Sequence, residues 1–442
     1  MVDSFKRKEL ILPLVFGLLF SVLYYILPMK YFAAGIIGLL GIIAVLYDIR
    51  IGIIGGVFAI PFLPDMLILL YIIFLVGAFF FKQSFKDFSP LTSKPIDLPI
   101  ILYVIIILIS TITSINPVGS FRDLAIHFAG IGLVFVIVNS IKKLEDFNIV
   151  VTVLVISATL VALYGLYQYV VGVEMDAAWL DVANNPDIKT RVFSVFGNPN
   201  IFAEYLVMTI PMSISLLWYS KKLHKKIIFL GTSLILTLSL ILTLSRGGWV
   251  GFAFSALIFV LLVEKRLLLG IIPISVGAVY FLPQTILNRI LSIANFRDSS
   301  NAYRIKMWEI TLAIIKDNWI AGVGFGHLPF KQTFETYIRT MPLYHAHNTF
   351  LETAAEMGIP GLIAFLIFIF ILFKYAINEL IINDNKYIKI MAGGTLAAIG
   401  GVLTHGMAEN ILYLPKIIIM FWILVSFVLV LTRISKEERK QL

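Results

Sequence analysis

No cysteine occurs in the 442 residues, which excludes a disulfide framework, thiolate metal sites and cysteine nucleophiles. Charge is scarce as well. Asp, Glu, Lys and Arg make up 14% of the chain, against about 25% in soluble domains. Apolar residues take their place at 60%, with a mean hydropathy of +0.96. This composition excludes an ordinary soluble enzyme, a disordered chain and a nucleic-acid binder. The net charge of +9 is spread over short segments between apolar runs rather than gathered on one face. Ionisable residues are missing from the middle of those runs too. His127, Glu204, Arg246, Glu352, Glu356, His405 and Glu409 all fall at or near one end of a run, whereas a proton-coupled transporter places such groups at the midplane. A nucleotide-binding loop is also lacking. Gly322-Val323-Gly324-Phe325-Gly326 has no Gly-Lys-Ser/Thr ending and no preceding strand, so it reads as a tight turn, and ATP-driven chemistry is not expected.

What the chain does have is apolar runs near the roughly 20 residues that cross a bilayer as a helix. They extend from Leu10–Leu27 to Leu412–Leu431, with Ile51–Leu63 the shortest. They predict an all-α polytopic membrane protein of twelve to fourteen transmembrane helices. Lys6-Arg7-Lys8 precedes the first run with no small-residue cleavage site after it, so that run is read as a retained span. Lysines and arginines crowd into the short turns at Arg50, Lys142-Lys143, Lys221-Lys222, Lys265-Arg266 and Lys386. By the positive-inside rule this sets both termini in the cytoplasm. Residues 1–442 then form one membrane domain with two external segments, 173–200 and 283–346. The second carries apolar residues at helical spacing, Ile305, Trp308, Leu312 and Ile315, then Phe330, Phe334, Tyr337 and Met341. These predict amphipathic helices forming an external cap.

The polar residues on the outer side are the candidates for chemistry. Arg246 stands in Ser245-Arg246-Gly247-Gly248-Trp249 between two apolar runs. Its guanidinium suits a diphosphate, which it can grip with a two-pronged fork. The same spacing also fits an arginine reaching the interface, with Gly247 and Gly251 as a helix-packing pair. Arg191 precedes Gly197-Asn198-Pro199-Asn200, a turn into a helix capped by Asn198 or Asn200. Arg304 opens an amphipathic helix ending near Asp317. The densest cluster is His345-Ala346-His347-Asn348, followed by Glu352 and Glu356. An imidazole can take a proton from a hydroxyl near neutral pH. Asn348 is placed to cap the next helix, and Glu352 or Glu356 to orient a histidine. Two histidines alone do not complete a metal site, so no metal is expected.

Taken together, Arg191 with Gly197-Asn198-Pro199-Asn200, Ser245-Arg246-Gly247-Gly248-Trp249, Arg304 with Trp308 before Gly322-Val323-Gly324, and His347-Asn348 followed by Glu356-Met357-Gly358-Ile359-Pro360-Gly361 resemble the O-antigen ligase and polymerase superfamily of bacterial envelope glycan enzymes. The resemblance covers roughly residues 190–410. It implies a GT-C-like membrane glycosyltransferase, metal-independent and without a cofactor, in the bacterial cytoplasmic membrane with its active site facing outward. Such an enzyme takes a glycan from a polyprenyl (undecaprenyl) diphosphate carrier and joins it to an acceptor hydroxyl of a glycan, lipid-glycan or protein. Arg191, Arg246 and Arg304 would then hold the diphosphate and His347 would serve as base. His345 is a less secure partner, and Asn348, Glu352 and Glu356 would support them. Ligase, polymerase and protein O-oligosaccharyltransferase share these motifs. A flippase for lipid-linked sugars is the alternative of another class, set against the one-sided histidine cluster and the absence of visible repeats.

Overall fold

The computed structural model describes all residues except 1, 85–96, 174–189, 271–276, 278–282, 295–298, 342–344 and 442. Much of the expected span Leu267–Leu282, and most of the external segment 173–200, lie outside the described residues. Sixteen helices carry the described chain: α1 (Val2–Ile26), α2 (Met29–Tyr47), α3 (Ile49–Ala59), α4 (Asp65–Ser84), α5 (Asp97–Ile112), α6 (Pro117–Ser140), α7 (Leu144–Val171), α8 (Pro199–Tyr219), α9 (Leu223–Leu242), α10 (Arg246–Val263), α11 (Gln284–Leu291), α12 (Ser299–Asp317), α13 (His327–Tyr337), α14 (Thr349–Ala376), α15 (Lys386–His405) and α16 (Pro415–Gln441). Ten helical stretches are long and apolar enough to cross a membrane, and three shorter apolar ones, Pro13–Ile26, Ile49–Ala59 and Asp97–Ile112, accompany them. The chain is an all-α multi-pass membrane protein.

Helix starts follow local chemistry. Asn116, Asn198, Ser245, Asn348 and Asn385 each accept a backbone N–H from the first turn of the helix that follows. Each meets a donor that has no intrahelical partner. Proline stands at the first position of α6 and α8, where its missing N–H costs nothing.

The centre of the bundle is built from α8, α15 and α16, whose apolar windows are 78%, 89% and 94% buried, whereas α2 buries only 6%. Lipid tails are as apolar as leucine, so these helices are held together by close packing rather than by escape from water. Small residues permit that approach. A Cβ at Gly251 of α10 would lie 2.7 Å from the Gly401 carbonyl oxygen of α15, and one at Gly247 would lie 2.7 Å from the His405 ring. The Gly247/Gly251 pair is thus a packing device.

α12 and α13 are not among the spanning helices. They cover the N-terminal half of α14 with a second apolar cluster that includes Met307, Ile314, Phe330, Phe334, Ala354 and Ala355. The expected stripe on α12 is rotated. Met307, Thr311, Ile314 and Ile315 are buried, while Leu312 is 54% exposed. On α13, Phe330 and Phe334 are buried but Tyr337 is exposed, and Met341 lies beyond the helix end. Periodicity finds an apolar face, but an interfacial helix has two apolar neighbours, protein and bilayer, and periodicity does not say which is met.

α14 is broken at Gly358, whose φ of 70° and ψ of 178° lie outside the helical region. The break frees backbone groups that the loop between α12 and α13 takes up. Val323 N–H donates to the Ala355 carbonyl at 2.9 Å, Gly324 N–H to Glu356 at 3.1 Å, and Ile359 N–H to Trp319 at 2.8 Å. A Cβ at Gly322 would sit 2.2 Å from the Glu356 carbonyl oxygen. The glycine-rich turn and the Glu356–Gly361 motif are therefore two halves of one junction.

Replacing Gly251 by valine is expected to lower the unfolding midpoint of the purified protein, since backbone on α15 blocks the new side chain at a cost of about 1–3 kcal/mol. Gly38→Val, with no neighbour within 4 Å of its Cβ position, should leave the midpoint nearly unchanged. Equal midpoints for both variants in a thermal melt would contradict this packing.

Candidate active site at one end of the bundle

The expected candidates converge where α9 and α15 end and α8, α10 and α14 begin. This end lies opposite the basic turns at Lys142-Lys143, Lys221-Lys222 and Lys386. The segment before α14 is held from several sides. Trp308 Nε1 donates to the Ala346 carbonyl at 3.1 Å, and Glu352 Oε2 accepts the Ala346 N–H at 2.5 Å. His345 Nδ1 accepts the His347 N–H at 3.3 Å. Asn348 caps α14 through the N–H groups of Phe350 and Leu351, both at 3.0 Å. Within these restraints His347 adopts a φ of 48°, a left-handed conformation that is unfavourable for a residue other than glycine.

Glu409, in the connection between α15 and α16, organises the site. Its Oε1 lies 2.5 Å from His347 Nδ1 and 3.6 Å from His345 Nδ1. Its Oε2 accepts from Asn200 Nδ2 at 3.1 Å and lies 3.9 Å from an Arg304 nitrogen. With Nδ1 of His347 bonded to a carboxylate, Nε2 carries the lone pair, as in a carboxylate–histidine pair set up for general base work. Burial alone would raise the Glu409 carboxyl, but the two histidines and Arg304 outweigh it and hold it well below the usual carboxylate range. His345 is pushed down to about 3, chiefly by burial and then by His347, so its ring stays neutral and serves as an acceptor for the His347 amide. Sequence reasoning placed Glu352 or Glu356 in the orienting role. The structure gives that role to Glu409. Glu352 instead grips the backbone between the histidines, and Glu356 lies buried one turn further along α14.

Four arginines adjoin this dyad. Arg191 donates through Nε to the Thr243 carbonyl at 2.9 Å and through a terminal nitrogen to Asn200 Oδ1 at 3.1 Å. Arg246 donates to the Ser292 carbonyl at 3.0 Å. Arg289, on α11 and absent from the expected set, donates to the Leu244 carbonyl at 3.2 Å. Arg191, Arg246 and Arg289 are all buried. Burial, followed by repulsion from Arg289, Arg304 and Arg246, pushes Arg191 down to about 9, so it remains charged at neutral pH. Guanidinium groups this close favour an anion among them. Gly247 and Gly248 leave room for His405 and Ala203 to pack against α10.

A metal is also conceivable on donor type. His345, His347 and Glu409 present ligand atoms within 4.8 Å of one another, two imidazoles and a carboxylate such as zinc accepts. The carboxylate that the sequence lacked near the histidines arrives from 62 residues away. The surrounding guanidinium charges oppose a dication there.

Residues 231–366 match the family model described as O-antigen ligase. The segment contains Arg246, Arg289, Arg304, His345 and His347, and leaves Arg191 and Glu409 outside. A Bacillus subtilis (strain 168) protein named teichuronic acid biosynthesis protein TuaE is 22% identical over 359 residues, covering 75% of this chain and 70% of that protein. An uncharacterized Haemophilus influenzae protein is 29% identical over 198 residues, covering 39% of this chain and 49% of its own length. The resemblance seen in the motifs thus holds for an O-antigen ligase domain within a multi-pass membrane protein. The match and the Bacillus relative support a polysaccharide-related, glycosyltransferase-like enzyme, and the matched family implies a lipid-linked glycan donor and a glycan acceptor.

Inorganic pyrophosphate should raise the unfolding midpoint of the purified protein by relieving repulsion among the arginines. Arg289→Gln should weaken that binding about tenfold or more, as loss of a charge-assisted hydrogen bond implies. An identical shift in wild type and variant would remove Arg289 from the anion site.

Proposed function

We propose that the chain transfers a glycan from a polyprenyl diphosphate carrier to an acceptor hydroxyl at the outer face of the cytoplasmic membrane. The observation that carries this reading is the His347–Glu409 pair beside a cluster of buried arginines. His347 Nε2 takes the acceptor proton as the acceptor oxygen bonds to the anomeric carbon. The bond from that carbon to the diphosphate oxygen breaks, and the electron pair leaves with the diphosphate. Arg191, Arg246, Arg289 and Arg304 stabilise the charge that develops there, and Glu409 stabilises the imidazolium. A positioned base contributes about 10²–10⁴ in rate, and each preorganised donor to the leaving group a comparable factor. Attack opposite the leaving group inverts the anomeric centre. Metal and nucleotide have no part in this scheme.

Among acceptors, another lipid-linked glycan is favoured, because the Bacillus relative is named for the biosynthesis of a polymer, teichuronic acid. This makes the polymerase branch the first to test. The purified protein would be given polyprenyl diphosphate oligosaccharide with glycan, lipid-glycan and peptide acceptors, and joined product and released diphosphate carrier would be measured. His347→Ala is expected to lose at least about 10²-fold in kcat, and Glu409→Gln to lose activity while still binding the donor. Unchanged turnover in His347→Ala, or activity abolished by EDTA and restored by zinc, would defeat the mechanism. Transport of the lipid across vesicles without product would assign the arginines to a flippase.

The proposed orientation has a simple test because the chain contains no cysteine. A cysteine replacing Glu335 on α13 should react with a membrane-impermeant maleimide in intact cells. One replacing Lys222, between α8 and α9, should react only after permeabilisation. The reverse pattern would invert the topology.

A further inference from the structure

A second carboxylate–imidazole pair stands near the first, and the proposed reaction does not use it. His327 opens α13, and its Nδ1 lies 2.8 Å from Asp123 Oδ2 on α6. The same oxygen accepts the His327 backbone N–H at 2.9 Å, so one carboxylate fixes both the start of α13 and the orientation of the ring. Gly326 makes the approach possible. Its φ is 97°, and a Cβ there would fall 2.2 Å from Asp123 Oδ2, a position open only to glycine. With Nδ1 taken by the carboxylate, Nε2 is the ring atom left for a ligand. Both side chains keep some exposed surface, 16% for His327 and 13% for Asp123.

A row of rings joins this pair to His347. Tyr413, in the connection before α16, packs perpendicular to His327 with ring centroids 5.4 Å apart. The Tyr413 ring lies 4.7 Å from that of His345, which lies 4.1 Å from that of His347. None of the four rings is fully buried. His347 is thus adjoined by two kinds of chemistry. Arg304 and Arg191 adjoin it through Glu409 and Asn200, whereas Tyr413 and His327 adjoin it through His345. An oxygen that attacks opposite a departing diphosphate needs a seat away from the arginines, and the ring row offers one. A sugar ring presents C–H groups, which suit aromatic surface, and hydroxyls, which suit an imidazole nitrogen held by a carboxylate. A phosphate is disfavoured beside the Asp123 carboxylate. The place therefore fits the sugar of a lipid-linked acceptor rather than its diphosphate.

We propose that Asp123, His327 and Tyr413 form the subsite for the acceptor glycan. His327 Nε2 bonds one hydroxyl of the acceptor while His347 deprotonates another, and Asp123 holds His327 in place. Tyr413 and His345 form the wall along which the sugar lies. The acceptor role rests on the transfer proposed above, but glycan binding at His327 is measurable without turnover.

The probe is the oligosaccharide freed from its polyprenyl diphosphate by mild acid, which carries no phosphate. It would be titrated by calorimetry into the full-length protein in detergent, with inorganic pyrophosphate in a parallel series. His327→Ala is expected to weaken oligosaccharide binding at least about tenfold and to leave the response to pyrophosphate unchanged. If His327→Ala does not fold, Asp123→Asn, close in volume to the native side chain, should weaken the oligosaccharide in the same selective way. Equal oligosaccharide affinity in wild type and variant overturns the subsite, as does the absence of saturable binding to wild type. Loss of both responses overturns it too, because the pair would then be only a clamp between α6 and α13. Wild type that binds the oligosaccharide through His327 yet forms no joined product upholds the glycan site and defeats the transfer.

Discussion

Burying a carboxylate beside histidines and a guanidinium is tolerable only when its oxygens are fully engaged, because each uncompensated charge in such a place costs several kcal/mol. Glu409 meets that condition from four directions. Asn200 and Arg304 share one oxygen, and His347 and His345 face the other. Its own backbone carbonyl accepts the Thr349 N–H at 3.1 Å and the Thr349 hydroxyl at 3.0 Å, which locks it to the start of α14. Through this one side chain the histidines and the arginines are placed in register. Asn200 extends the link, since it donates to Glu409 and accepts from Arg191.

The rest of the architecture keeps those contacts in place. The α15 helix runs through the bundle because its glycines let α8 and α10 approach, and it delivers Glu409 just past its C-terminal end. The broken α14 would leave carbonyls without partners in a region poor in water. The loop between α12 and α13 fills that gap. External cap and spanning core are consequently joined by backbone hydrogen bonds, and Trp308 and Arg304 of α12 reach the site from that cap. Glu356 belongs to the same junction, its backbone carbonyl accepting from Gly324.

Chemistry that is local along the chain could be read before folding. Apolar runs define spans because a bilayer leaves a backbone no alternative to internal hydrogen bonding. Asn198 and Asn348 announce helix starts because a capping side chain acts within three residues. Arg191, Arg246, Arg304, His345 and His347 stand out because ionisable groups are rare in this composition. The rotated face of α12 was not legible in the same way, since its outward side is also apolar. Arg289 lies in no motif that would single it out.

Glu409 is the sharper case. It lies 62 residues from His347, and no spacing rule connects the end of one spanning helix with the start of another. Their meeting depends on how α14, α15 and α16 pack. The same holds for the meeting of the Gly322 turn with the segment around Gly358, which no local pattern connects. The amino-acid sequence by itself determined which segments cross the membrane, where helices begin and which residue types are available for chemistry, because those follow from short-range sterics and solvation. Only the tertiary structure decided which carboxylate meets the histidines and which arginines gather beside them. Those are through-space electrostatic relations between side chains that the chain order keeps apart.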